Sequence, residues 1–127
     1  GGTITGVGTM LKKEYNDNIK IVAVEPTNSA VISGNPPGKH KIQGIGAGFI
    51  PEILDVDIID EIIKIDDDEA FDTARMLAKE YGLFVGISTG ANVAAALKIA
   101  KNSRNKTIVT ISPSNAERYL STELFEK

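Results

Sequence analysis

The first six residues, Gly1-Gly2-Thr3-Ile4-Thr5-Gly6, combine residue types that suit an anion. Glycine lets a backbone approach a phosphate with no Cβ in the way. A helix that starts there aims its free N–H groups and the positive end of its dipole at the same point, and a threonine hydroxyl adds a donor. The other reading is a plain glycine-rich turn that caps a helix. No Gly-Lys-Ser/Thr closes the segment, so it is not a P-loop, and no strand precedes it here, so it is a poor dinucleotide fingerprint.

Three further segments could carry chemistry. Residues 41–51 place glycines at alternate positions, Gly44, Gly46 and Gly48, before Pro51. They form either a loop crossing a sheet edge or a flap over a cleft at the C-terminal ends of strands, where open α/β sheets bind ligands. Gly86-Ile87-Ser88-Thr89-Gly90-Ala91 turns a strand sharply into a helix, and an ordinary helix cap is the plain alternative. Residues 113–122 follow the last expected strand, so Ser114 stands where a ligand in the sheet's crevice is reached. The plain alternative there is a turn and C-terminal helix with a structural Glu117–Arg118 ion pair.

The elements that must position these segments follow from periodicity. Residues 3–15 predict a helix with Ile4, Val7, Met10 and Leu11 on one face, stopped by Asn16-Asp17-Asn18. Residues 19–24 and 62–65 are short β-branched runs and predict buried strands. Between them, residues 27–51 form a long irregular segment, and such segments inside compact domains are often functional. Asp66-Asp67-Asp68 supply a cap and an acidic first turn for a helix with an apolar stripe of Ala70, Ala74, Leu77, Ala78 and Tyr81, closed by Gly82. Residues 83–87 and 107–111 predict two more strands, separated by a helix over 91–101 capped by Ser88-Thr89-Gly90. That helix carries small residues, Ala91, Ala94, Ala95, Ala96 and Ala100, suited to close packing on a sheet. Alternating strands and helices imply an α/β fold, a parallel sheet covered by helices.

Composition narrows the chemistry. The 127 residues suit one domain, and the net charge of −3, with both signs interspersed, argues against a nucleic-acid surface. There is no cysteine and one histidine, His40, so disulfides and thiolate metal sites are excluded and no metal is expected. No apolar run reaches membrane-spanning length and no signal peptide is visible, which makes a cytoplasmic location the default. The chain opens inside a glycine turn without an initiator Met, which reads as a fragment or processed piece.

Taken together and in order, the motifs resemble cysteine synthase (O-acetylserine sulfhydrylase), a family of pyridoxal-phosphate (PLP) enzymes with the tryptophan synthase β-subunit fold. Gly1-Gly2-Thr3-Ile4-Thr5-Gly6-Val7-Gly8 is similar to the end of the family's G-T-G-G-T-I-T-G-V-G. Ala23-Val24-Glu25-Pro26 looks like its A-V-E-P, and residues 40–51 match H-K-I-Q-G-I-G-A-G-F-I-P throughout. Residues 86–91 are close to G-I-S-S-G-A, and residues 117–122 look like E-R-Y-L-S-T.

The resemblance implies β-replacement: O-acetylserine loses acetate and accepts sulfide to give cysteine. It implies PLP as cofactor, with Gly1, Gly2 and Thr3 donating to its phosphate and Ser114 hydrogen-bonded to its pyridine nitrogen. A neutral hydroxyl there does not enforce a pyridinium, which favours elimination over transamination. Gly44 matches a backbone position lining the substrate cleft. Ala47 and Phe49 match the region that receives the C-terminal tail of serine acetyltransferase, and a homodimer is implied. The chain would be a single partial domain, the C-terminal PLP-binding part over residues 1–127, with the Schiff-base lysine in the N-terminal half. By itself it would then be inactive. Two departures stand out. Ala116 replaces a family glycine, and a positive φ there would strain the turn; Asn115 occupies the second of two adjacent positions that can carry the serine. Alternative readings are a cystathionine β-synthase-like or threonine dehydratase-like enzyme, or a non-catalytic phosphate-binding or interaction module.

Overall fold

The computed structural model describes residues 1–119, 121 and 124. Helix α1 spans Gly2–Tyr15, strand β1 Val22–Pro26, strand β2 Glu61–Ile65, helix α2 Asp67–Tyr81 and helix α3 Ile87–Lys101, with 3-10 turns at Asn16–Asn18, Thr27–Ser29, Val56–Ile58 and Ala116–Tyr119. β1 and β2 pair in parallel, Val22 opposite Glu61 and Pro26 opposite Ile65. Their C-terminal ends therefore lie side by side. The fold is α/β, as expected.

β1 starts later than its β-branched run. The Asp60 carboxylate accepts the Ile21 N–H at 2.7 Å, and the Ile21 carbonyl accepts the Asp60 N–H at 2.8 Å, so Asp60 holds residue 21 and the ladder begins at 22. Between the strands, residues 27–60 contain no α-helix. In place of the helix usual for a parallel crossover, this segment runs as loop and then returns along α1. Gly1 meets Leu54, Gly8 meets Ile58, and Lys12 pairs with Asp60 at 2.8 Å. That order places the N-terminus of α1 away from the start of β2 and its C-terminal half beside it.

Helix α2 is set by its ends. The Glu69 side chain accepts the Asp66 N–H at 3.0 Å, and Gly82 closes the helix at φ 67°, a conformation glycine adopts without Cβ strain. Its buried stripe is Ala70, Phe71, Ala74 and Leu77, whereas Tyr81 is 67% exposed. The expected stripe was one residue too long at its C-terminal end and lacked Phe71. Likewise in α1 the inner positions are Ile4, Gly8 and Leu11, while Val7 and Met10 point outward. A Cβ on Gly8 would sit 2.6 Å from Ile58 Cδ1, so the glycine permits that close approach.

Two expected strands are absent. Residues 83–87 make one antiparallel bridge, Val85 to Asn115, because α3 starts early: the Gly86 carbonyl accepts the Gly90 N–H at 3.1 Å. Ser88, Thr89 and Gly90 accordingly lie in the first turn of α3 and Gly86 is its N-cap, not the reverse. Residues 107–111 find no ladder partner among the described residues, and Val109 is 85% exposed. Composition marks a residue as suited to a strand, but a strand needs a neighbour to hydrogen-bond. The core is one cluster built on Ile42, Ile65, Phe71, Ile87 and the alanines facing each other across α2 and α3. At their crossing, a Cβ on Gly90 would lie 2.1 Å from the Ala70 carbonyl oxygen.

Candidate functional site

The N-terminus of α1 is open to an anion. The first intrahelical amide bond is from Thr5 N–H to the Gly1 carbonyl, 3.1 Å, which leaves the Gly2, Thr3 and Ile4 amides without helical acceptors. The first turn carries no acidic residue, unlike that of α2 with Asp67, Asp68 and Glu69, so no side chain competes for the dipole. Gly1, Gly2 and Thr3 are exposed. The two glycines differ in kind. A Cβ on Gly1 would be 2.8 Å from Leu54 Cβ, whereas one on Gly2 would meet only Ile53, at 3.8 Å. Gly1 is required by packing, and Gly2 leaves space above the helix end.

A second cluster forms where α3 begins. Ser88 Oγ and Ser114 Oγ are 3.2 Å apart. Thr89 Oγ1 donates to the Ser114 carbonyl at 3.2 Å and lies 3.1 Å from Ser112 Oγ. A hydroxyl has one proton, so with Thr89 donating to the carbonyl, Ser112 is the donor in the other pair. The Gly86 N–H also donates to the Ser114 carbonyl, at 3.0 Å, and the Ala116 N–H donates to that of Phe84 at 3.2 Å. Residues 112–116 are thereby fastened along 84–89. Ser88 and Thr89 are buried and Ser114 is half-buried. A Cβ on Gly86 would collide with Ser114 Oγ at 2.1 Å, so Ser114 is tucked against Gly86. Ser88 faces the other way, toward Gly44, whose φ is 97° and whose Cβ would lie 3.8 Å from Ser88 Oγ.

Residues 86–91 were marked as a segment that could carry chemistry, but the Ser88–Ser114 and Thr89–Ser112 pairings were not foreseen, because the Val85–Asn115 bridge that brings them together leaves no local signal. Ala116 is fully buried and is not among the described residues with positive φ, so the turn bears no strain from it. Leu120 and Thr122 of the 117–122 stretch lie outside the described residues, as does the Arg118 side chain and with it the ion pair expected with Glu117.

The glycine loop joins the two clusters. From Gly44 beside Ser88 it crosses the end of β1, where a Cβ on Gly46 would be 2.5 Å from Pro26 Cγ, and reaches Leu54 against Gly1. The Asp55 N–H donates to Thr5 Oγ1 at 3.1 Å. Ala47 and Phe49 are exposed, Phe49 at 63%. The loop's root is held by Glu25, a buried carboxylate at the end of β1 that accepts the Ile32 N–H at 2.9 Å, the Ser33 N–H at 3.0 Å and the Ser33 hydroxyl. Among the described residues there is no group of three or more His, Cys, Asp or Glu able to hold a metal, and no helix is long and apolar enough to cross a membrane.

A family model described as "Pyridoxal-phosphate dependent enzyme" matches residues 1–114. The chain belongs to that family. It is 56% identical over 126 residues to a cysteine synthase of Staphylococcus aureus strain Mu50, covering 98% of this chain and 40% of that protein. Among solved structures, O-acetylserine sulfhydrylase isoform 3 from Entamoeba histolytica aligns with a TM-score of 0.95 at 47% identity, over 98% of this chain and 38% of that one. An O-acetylserine-dependent cystathionine β-synthase from Helicobacter pylori aligns at 0.87 and 43% identity, over 98% of this chain and 40% of that one. The chain thus spans about 40% of the length of the curated relatives it matches.

The residues present fit the cofactor of this PLP-dependent family. PLP carries a phosphate dianion and, at the far side of its ring, a nitrogen acceptor. The uncompensated amides of α1 suit the first, and the Ser88–Ser114 hydroxyls suit the second.

Proposed function

We propose that this chain is the cofactor-holding part of a cysteine synthase, which makes L-cysteine from O-acetylserine and sulfide. The observation that carries the reading is the pairing of an acid-free helix N-terminus with a part-buried hydroxyl pair, joined by the glycine loop. When bound, PLP supplies an electron sink for carbon–hydrogen and carbon–oxygen cleavage at the amino-acid substrate.

The chain's own residues would do the following. The Gly2 and Thr3 amides and the Thr3 hydroxyl bind the phosphate, with Gly1 fixing the helix start against Leu54. The Ser88–Ser114 pair shares its protons with the pyridine nitrogen. Ser88 faces the loop and Ser114 backs it, so Ser114 acts on the nitrogen directly or by orienting Ser88. A hydroxyl donates a hydrogen bond without holding a full positive charge on the ring, which suits elimination. Gly44 gives the substrate a backbone wall with no side chain beside Ser88. Ala47 and Phe49, exposed on the same loop, are proposed to receive a serine acetyltransferase tail, and the whole protein is proposed to be a cytoplasmic homodimer.

No lysine here occupies a context matching the Schiff-base lysine, and Lys12, Lys20 and Lys98 are engaged in surface ion pairs. The chain is therefore proposed to be one partial domain, inactive by itself. The test is turnover by the whole protein. With O-acetylserine and sulfide it should release cysteine and acetate in equal amounts. Cystathionine formed from a homocysteine acceptor, without sulfide-dependent cysteine, would shift the assignment to the cystathionine β-synthase-like reading, which the likeness to the Helicobacter pylori enzyme favours. No turnover with either acceptor, in protein that retains PLP, would refute both.

A further inference from the structure

We infer that His40 is a positioning residue of the glycine loop, acting as a neutral imidazole with its proton on Nε2. The assignment follows from what its two partners can do. The Ile42 N–H only donates, and it lies 3.1 Å from His40 Nδ1, so Nδ1 presents a lone pair. The Gly46 carbonyl only accepts, and it lies 2.8 Å from Nε2, so Nε2 carries the hydrogen. The ring bridges the two ends of a short arc, residues 42 to 46, and both of its nitrogens are used.

Each end of that arc is anchored. Ile42 is fully buried in the core. Gly46 has φ 63° and no room for a Cβ, which would lie 2.6 Å from His40 Nε2 and 2.5 Å from Pro26 Cγ. The arc's own backbone bond, Ile45 N–H to the Ile42 carbonyl, is long at 3.4 Å, beyond the usual range for such bonds. The imidazole therefore supplies the tighter closure. At the middle of the arc stands Gly44, at φ 97° beside Ser88. Fixing 42 and 46 fixes where the Gly44 backbone meets the hydroxyl pair.

The effect on turnover rests on the function proposed above; the tautomer does not. Two measurements on the whole protein separate them. With ¹⁵N-histidine labelling, the imidazole signals missing from His40→Gln belong to His40. They should show Nδ1 unprotonated and Nε2 protonated, and an Nδ1-protonated or rapidly averaged ring would overturn the inference whatever the enzyme does. In kinetics, His40→Phe keeps the ring volume but no polar atoms. It should raise KM for the amino-acid substrate about tenfold, the scale of a lost hydrogen bond, with PLP retained. His40→Gln, which keeps one acceptor and one donor, should recover most of that loss. An unchanged KM in His40→Phe, or no recovery in His40→Gln, would overturn the positioning role. The predicted tautomer in a protein that makes no cysteine would leave the inference standing and remove the proposed function.

Discussion

Gly90→Ala sets two well-known effects against each other, and the geometry says which wins. Alanine is favoured over glycine in a helix by up to about 1 kcal/mol, so by propensity alone the substitution stabilises the first turn of α3. The new methyl, however, would sit 2.1 Å from the Ala70 carbonyl oxygen and 3.0 Å from both Ala74 Cβ and Ala74 N. Two of those three atoms are backbone, so no rotamer change relieves the contact and α2 must move off α3. Overpacking of this kind costs about 1–3 kcal/mol, occasionally more. The net expectation is a loss of about 0–2 kcal/mol after the propensity gain. Gly6→Ala is the matched control. It is also helical, but nothing lies within 4 Å of its added Cβ, so it should gain about 0.5–1 kcal/mol. Urea unfolding reads both as shifts in midpoint at constant slope. Gly90→Ala as stable as Gly6→Ala would refute the close crossing of α2 and α3, and with it the placement of Ser88 and Thr89 at the start of α3.

Other expectations follow from single contacts. Thr89→Val keeps shape but strips the hydroxyl joining Ser112 and Ser114; it should cost about 1–3 kcal/mol of unfolding free energy, while Thr89→Ser stays near wild type. Glu25→Gln places an amide N–H₂ among three donors, and calorimetry should show a loss of about 1.5–3 kcal/mol, the range for hydrogen bonds to a charged group. For Asp60, the Ile21 N–H first and the Lys12 ammonium second hold its carboxyl below the ordinary 3.8. A depressed folded-state pKa contributes stability above the unfolded value and loses it as pH falls through the folded one. The stability gap between wild type and Asp60→Asn should therefore be full above about pH 4 and shrink below it. A gap that stays constant down to acid unfolding would refute that role.

What the sequence revealed depended on the range of the interaction. The ends of α2 were legible because Asp66, Glu69 and Gly82 act within a turn of the helix they bound. The anion-suited start of α1 was legible for the same reason. Strand limits were not, since Asp60 holds residue 21 from 39 positions away. Residues 83–87 and 107–111 have strand composition, yet among the described residues only the first finds a ladder partner, and a single bridge at that. The hydroxyl pair divides along the same line. Ser114 stood out by its place after an expected strand. Its pairing with Ser88 did not, because the two are 26 residues apart and meet through an antiparallel bridge that periodicity does not signal.

The N-terminus of α1 is proposed to hold the phosphate of PLP, and the Ser88–Ser114 pair its ring. The affinities of the whole protein for PLP and for phosphate-free pyridoxal, in wild type and in Thr3→Val, test it most directly. Loss of one hydrogen bond to a charged phosphate should cut PLP affinity by about tenfold or more and leave pyridoxal binding unchanged. An equal loss for both compounds, or no loss for either, would contradict the claim.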